Sequence, residues 1–137
     1  MRNLAYIAKV TAIKPIIGAD FIEAIEVNSG WWVVGKKGEF EINSLGVFYE
    51  IDSFLPASDS RYKFLEKNFR QYENKWGARL KTQKMKGQLS QGLMLPVISF
   101  PELSGKKLGD DVTEFLGVIK FDPPEIIDNG PKAKIGG

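Results

Sequence analysis

The sequence predicts an all-β fold: a small, partly open β-barrel of five or six strands, with one or two short helices. Short segments in which apolar and polar residues alternate indicate half-buried strands. Turns containing Gly, Pro or Asn separate these segments. One long polar and aromatic stretch interrupts the series and indicates an excursion from the barrel. A chain of 137 residues is long enough for one such domain with a hydrophobic core.

The first three segments predict three strands. Residues 4–13 alternate between apolar and polar side chains and end at a Lys-Pro pair. Residues 21–27 follow a Gly-containing turn, and their alternation predicts that Phe21 and Ile25 face the core. Residues 31–36 are apolar on both faces, which predicts a central strand covered on both sides.

The second half contains the excursion and the last strands. Residues 47–54 alternate and stop at a proline, whereas residues 61–75 have apolar side chains at helical spacing. We expect residues 79–86 to pair with residues 93–97 across the intervening turn region. Residues 111–116 begin with carboxylates, which favour a helix N-terminus, and therefore predict a short helix.

The barrel is expected to end near residue 120. From residue 121 onward the chain is rich in Pro and Gly and cannot continue a sheet. We therefore assign residues 1–120 to the barrel domain and residues 121–137 to a linker or tail. Among small barrels, the OB-fold is the commonest one that meets nucleic acid, and an SH3-like barrel fits the pattern almost as well.

The composition excludes several kinds of chemistry. The chain has no Cys and no His, which removes disulfides, thiolate metal sites, the usual zinc ligand and His-dependent triads. Glu50 and Asp52 share one strand face, but such outward carboxylates are typical of solvated surface. We therefore expect no metal site and no catalytic residue. Without a membrane span or signal peptide, the expected location is intracellular, cytoplasmic by default, with no membrane partner.

The charge is distributed unevenly along the chain. Residues 61–87 carry nine cations against two anions, and the rest carries ten cations against fifteen anions, although the net charge is only +2. A locally basic stretch in a near-neutral protein is the pattern expected of a polyanion-binding site. The alternative is a solvated face whose counter-charges come from elsewhere in the fold.

A cationic block between residues 79 and 86 is the strongest candidate for such a site. Arg79, Lys81, Lys84 and Lys86 do not share one strand parity, but a one-residue bulge near residues 82–83 would place all four on the outer face. Leu80 and Met85 would then point inward. Four cations on one face suit a phosphate backbone, while an edge strand protected by Lys is the simpler alternative.

Polar and aromatic residues complete the candidate interface. The predicted nucleic-acid contacts are Lys36, Lys37, Arg79, Lys81, Lys84, Lys86, Gln88, Ser90 and Gln91. The Trp residues are candidates for stacking on bases, although buried aromatics that fill a core are common. The candidates for stacking are Trp31, Trp32 and Trp76.

Several segments together resemble the N-terminal OB-fold module of an ATP-dependent RNA ligase family, in which the OB domain precedes the nucleotidyltransferase domain. The resemblance covers residues 4–124 and is carried by short runs of sequence. These are KPIIGAD (14–20), VGKKGE (34–39), FYEIDSFLP (48–56), RLKT (79–82), KGQLSQGLMLP (86–96), DVTEFLG (111–117) and FDPP (121–124).

This resemblance implies a function for the chain and a separate nucleotidyltransferase domain in the parent protein. It implies that the module engages a nicked duplex on the side of the RNA 3′-OH strand. ATP and a divalent metal, Mg or Mn, would belong to the nucleotidyltransferase domain of the same parent protein. Residues 84–87 (KMKG) lack the Asp of the family's Lys-x-Asp-Gly signature. We therefore expect this chain to be non-catalytic and its tail to lead to a catalytic domain.

Two other functions remain open. Residues 18–20 and 90–95 also resemble the tRNA-binding OB domains of aminoacyl-tRNA synthetases, which lack the FYEIDSFLP run. The third possibility is a protein-interaction barrel whose basic strand docks an acidic partner.

Overall fold

The computed structural model describes residues 3–123, which form an all-β domain with short 3₁₀ helices. The fold class predicted from the sequence is confirmed. The first five strands are β1 (Ala5–Pro15), β2 (Ile22–Val27), β3 (Trp32–Lys36), β4 (Leu45–Tyr49) and β5 (Ser53–Pro56). The remaining six are β6 (Arg70–Tyr72), β7 (Lys75–Arg79), β8 (Gln83–Met85), β9 (Gln88–Ser90), β10 (Leu93–Pro96) and β11 (Ile119–Lys120).

The barrel is built on a five-stranded antiparallel sheet in the order β10-β4-β1-β2-β3. Strand β1 connects its two halves, because its first part pairs with β4 and its later part pairs with β2. The register shifts between Val10 and Ala12. Such an irregularity bends a strand and increases its twist, which allows one long strand to serve both halves of a curled sheet.

Strand β3 lies at an edge of this sheet, so the prediction that it is central is wrong. Two hydrogen bonds connect this edge to the chain just before β10. The Gln91 amide donates to the Trp32 carbonyl over 2.9 Å, and the Val34 amide donates to the Ser90 hydroxyl over 3.0 Å. β3 and β10 lie at opposite edges of the sheet and do not pair as strands. These two hydrogen bonds therefore close the barrel.

The excursion lies between β4 and β10 and forms structure of its own. Its strands contribute to a four-stranded sheet in the order β11-β5-β7-β6 and to the separate β8–β9 hairpin. A 3₁₀ helix, Ser60–Asn68, connects β5 and β6, as the helical spacing predicted. The predicted strand 47–54 is divided between β4 and β5, because the chain turns a corner at Asp52, where φ is +70°.

The core has two parts, one on each side of β4. Val47 and Tyr49 pack with the first part, and Phe48 packs with the second. Both faces of β4 are therefore buried, since the excursion covers the face that would otherwise meet water. In the first part the Tyr49 and Tyr62 hydroxyls are 2.8 Å apart and hydrogen-bonded. The sequence predicted that buried and exposed side chains would alternate along this strand, and β4 does not show that alternation because both of its faces are covered.

Three further predictions about local structure are wrong. Residues 79–86 do not pair with 93–97, because β8 pairs with β9 and β10 pairs with β4. Residues 111–116 form turns rather than a helix. The side chain of Thr113 is instead buried, and its hydroxyl accepts hydrogen bonds from the Leu4 and Ala5 amides. Phe21 is 83% exposed rather than inward, because β2 begins one residue later.

The packed body includes Phe121, one residue beyond the predicted domain boundary. Its ring is buried and lies 4.6 Å from the Tyr72 ring centroid to centroid, and its amide donates to the Asp52 carbonyl. Most of the predicted tail, residues 124–137, lies outside the described residues.

Candidate nucleic-acid interface

The cationic block folds into a turn and a hairpin rather than into one bulged strand. Strand β7 ends at Arg79, and regular pairing resumes at Gln83. Lys86 and Gly87 form the tight turn between β8 and β9, with φ of +51° and +84°. Consecutive left-handed residues of this kind suit a two-residue hairpin, whose twist matches that of the flanking strands. The predicted bulge is therefore wrong, because residues 80–82 interrupt the strand between β7 and β8.

The break still exposes three of the four predicted cations. Lys81, Lys84 and Lys86 are exposed, and Leu80 and Met85 are turned toward the protein as predicted. Arg79 differs, because its guanidinium forms an ion pair with Asp52, at 2.8 Å. The same group lies 4.9 Å from the centroid of the Phe121 ring. Arg79 therefore has a structural role that the sequence pattern did not reveal.

A second basic surface lies on the outer face of β1, β2 and β3. The strand register places Lys14, Ala24 and Val34 side by side. The Lys14 ammonium is 4.6 Å from the centre of the Trp32 ring, which is a cation–π contact. Sequence reasoning missed Lys14, because the Lys-Pro pair was interpreted only as the end of a strand.

The hairpin turn meets this outer face. Lys14 lines a shallow pocket together with the turn residues Lys86, Gly87 and Gln88. Lys14 of the outer sheet face and Lys86 of the β8–β9 hairpin therefore lie at the same pocket. Lys36, at the end of β3, is exposed, as is Lys37 beside it. We use the name basic face for the exposed lysines of the outer sheet and the hairpin region, which are Lys14, Lys36, Lys37, Lys81, Lys84 and Lys86.

The predicted polar contacts have different environments. Ser90 is buried, and its hydroxyl accepts the hydrogen bond from Val34 that closes the barrel. The Gln91 amide makes the neighbouring closing bond. The Gln88 side-chain amide donates to the Leu89 carbonyl. These residues therefore support the hairpin, and Ser90 is set back from the basic face.

The structure does not bring the three Trp residues together. Trp31 packs against the second part of the core, and Trp32 is half-buried beneath Lys14. Trp76 is 57% exposed on β7, which belongs to the other sheet. It lines a groove with Phe115. Only Trp32 thus lies on the basic face.

Part of the predicted positive charge is neutralised within the fold. Arg61 forms ion pairs with Asp59, at 2.8 Å, and with Glu102, at 2.6 Å. Hydrogen bonding to Arg61 lowers the pKa of both carboxyls. The guanidinium also lies 4.1 Å from the centre of the Phe100 ring. Arg61 therefore joins the 3₁₀ helix to the segment after β10. The lysines of the basic face differ from Arg61, because they form no ion pair with any of residues 3–123.

Carboxylates in the described chain do not form a metal site. No group of three or more Asp or Glu side chains in residues 3–123 is arranged to hold an ion. Glu50 accepts a hydrogen bond from the Tyr6 hydroxyl over 2.8 Å, and Asp52 is paired with Arg79. No helix within the same residues is long and apolar enough to cross a membrane.

Residues 4–97 match the family model of an OB-fold domain. The chain belongs to this OB-fold family. OB-folds commonly bind ligands on their second and third strands and the adjoining loops, and Trp32 and Lys36 of this chain lie on β3.

Solved structures of an RNA ligase from Naegleria gruberi contain a similar OB-fold domain. A mutant with AMP and Mn is 49% identical, with a TM-score of 0.86 over 90% of this chain and 36% of the ligase chain. The same ligase with PPi is 48% identical, with a TM-score of 0.86 over 91% of this chain and 37% of that chain. The OB-fold domain is thus homologous to part of an RNA ligase and spans about a third of its length. No curated protein matches the chain.

Proposed function

We propose that this OB-fold domain binds nucleic acid as the non-catalytic module of an ATP-dependent RNA ligase. The basic face supports this proposal, because its six lysines are exposed, Lys14 lies over the half-buried Trp32 ring, and Lys14 shares a pocket with Lys86 of the hairpin turn. Lysines that contact phosphates supply affinity and position the nucleic acid without reading its sequence. The homology to an RNA ligase is the second support.

The preferred ligand in this proposal is a nicked duplex, bound on the side of the RNA 3′-OH strand. The domain would hold the duplex while a nucleotidyltransferase domain of the same parent protein seals the nick. ATP and Mg or Mn would belong to that domain. Among residues 3–123, no three Asp or Glu side chains are grouped so that they could hold an ion. Cytoplasmic RNA repair is the setting that this function implies.

The basic face can be tested by the salt dependence of binding. The logarithm of the affinity falls with the logarithm of salt concentration, with a slope of about −0.9 for each duplex phosphate neutralised. We expect Lys81→Ala, Lys84→Ala and Lys86→Ala each to weaken binding to a nicked duplex and to reduce the slope by about that amount. Fluorescence anisotropy over a range of salt concentrations measures both quantities.

Lysines outside the basic face provide the control. Lys106 and Lys107 are exposed in the loop that packs beside the first half of β1. Their replacement by Ala removes the same charge and should leave the slope unchanged. An equal effect from both sets would show that only net charge matters and would overturn the proposed face. Tighter binding to tRNA or to an acidic protein than to the nicked duplex would favour the other two functions.

A further inference from the structure

A small pocket opens beside the basic face. It lies between the 3₁₀ helix Ser60–Asn68, the β8–β9 hairpin and the edge of β3. Its volume is about 140 Å³. Neither the proposed phosphate contacts nor the closure of the barrel requires a cavity at this position.

The walls of the pocket combine three kinds of chemistry. The Phe64 ring is 58% exposed at one wall, where its face is available for stacking. Leu80 and Met85 contribute apolar lining. The side chains of Asn68 and Gln83 also line the pocket, and within residues 3–123 neither makes a hydrogen bond to a protein group.

The cation at the rim is Lys81. Arg79 also lines the pocket, but its guanidinium is held by Asp52. Lys81 is exposed and forms no ion pair with the described residues. These groups match the three contacts by which proteins recognise a nucleotide. An aromatic ring stacks on the base, amide groups hydrogen-bond to the base edge, and a cation contacts the phosphate.

The volume limits which base can enter. A protein cavity of about 150 Å³ is known to accept one benzene ring. The pocket described here is close to that size, so a single six-membered ring would fill it and a fused double ring would extend beyond its rim.

We propose that this pocket binds one unstacked pyrimidine base of the bound RNA. Phe64 stacks on the base, Asn68 and Gln83 hydrogen-bond to its edge, and Lys81 contacts the adjoining phosphate. The proposal rests on the proposed function, because it requires RNA on the basic face. It adds that the domain recognises a nucleotide displaced from the helical stack, beyond holding the backbone.

Nicked RNA duplexes that also contain a single bulged nucleotide test this site. Three duplexes are compared, in which the bulge is uridine, adenosine or an abasic ribose. We expect the domain to bind the uridine bulge at least about fivefold more tightly than the abasic one, the lower end of what stacking contributes. Adenosine should bind like the abasic bulge. Phe64→Ala should remove the preference for uridine without changing affinity for the abasic duplex.

A matched variant separates this site from general loss of aromatic surface. Phe115→Ala removes an equally exposed ring, 60% exposed, from the groove around Trp76, and it should keep the preference for uridine. Equal affinity for uridine and abasic bulges, or a preference that survives Phe64→Ala, would overturn the pocket assignment. Equal binding of adenosine would overturn its size limit. Failure of all three duplexes to bind would instead count against the proposed function.

Discussion

The hydroxyl groups of Tyr49 and Tyr62 satisfy each other in the core. They are 2.8 Å apart, and both rings are fully buried. Burial raises the pKa of both phenols, to about 12 for Tyr62. Each hydroxyl depends on the other because no other hydrogen-bond partner for either lies within the described residues.

A double-mutant cycle tests this mutual dependence. Tyr62→Phe leaves the Tyr49 hydroxyl buried without a partner, and we expect it to lower the free energy of unfolding by about 1–3 kcal/mol. Changing both residues to Phe removes both polar groups and should recover most of that loss. Denaturant unfolding of the wild type, both single variants and the double variant measures the coupling. Additive losses would show that the pair is not coupled.

At the scale of the element, Gly77 fixes how closely β7 approaches β5. A Cβ atom built at Gly77 would lie 2.0 Å from the Leu55 carbonyl oxygen and 2.9 Å from the Phe54 ring. Gly87 contrasts with it, since nothing lies within 4 Å of a Cβ there and only its positive φ disfavours a side chain. The two glycines therefore serve different ends: one allows a close strand contact, and the other allows a tight turn.

These two positions give a prediction with its own comparison. Gly77→Ala must push two strands apart, and we expect a loss of stability of more than about 3 kcal/mol, beyond that of most single substitutions. Gly87→Ala should cost only about 1–2 kcal/mol, the penalty for a left-handed residue with a Cβ. Thermal unfolding followed by circular dichroism ranks the two. The reverse ranking would contradict the strand contact.

The elements also explain which sequence predictions succeed. The alternation in residues 4–13 is a local signal, and β1 forms close to the predicted position. The proline at position 56 is another local signal, and β5 ends there. The pairing of β8 with β9 was missed because a turn of Lys86 and Gly87 is not a strong hairpin signal. Arg79 pairs with Asp52, and Lys14 lines a pocket with Lys86. Both contacts join residues far apart in the chain, so a local sequence pattern could not predict them.

At the scale of the whole molecule, pH should affect stability mainly through buried groups. The folded-state pKa of Tyr62 is raised from 10.0 to about 12, so the folded protein favours the neutral phenol. Stability from this group is fully present below the unfolded value and is lost as the pH rises from 10 toward 12. We expect the melting temperature to fall across this interval.

The tyrosine pair provides the control for this pH effect. The variant in which both Tyr49 and Tyr62 are Phe has no buried phenol at this position, so its melting temperature should fall less over the same interval. Melting curves at closely spaced pH values measure the difference. Parallel curves for the two proteins would assign the alkaline loss to other groups.

The bond from Thr113 to the start of β1 has a consequence for how the chain is made. The Leu4 and Ala5 amides are satisfied by a hydroxyl 108 or more residues later in the chain. Contacts of such long range slow folding, because the loop between them must close first. During synthesis the first strand emerges from the ribosome long before its partner exists. The Leu4 and Ala5 amides therefore lack this hydroxyl partner until almost the whole domain has been translated.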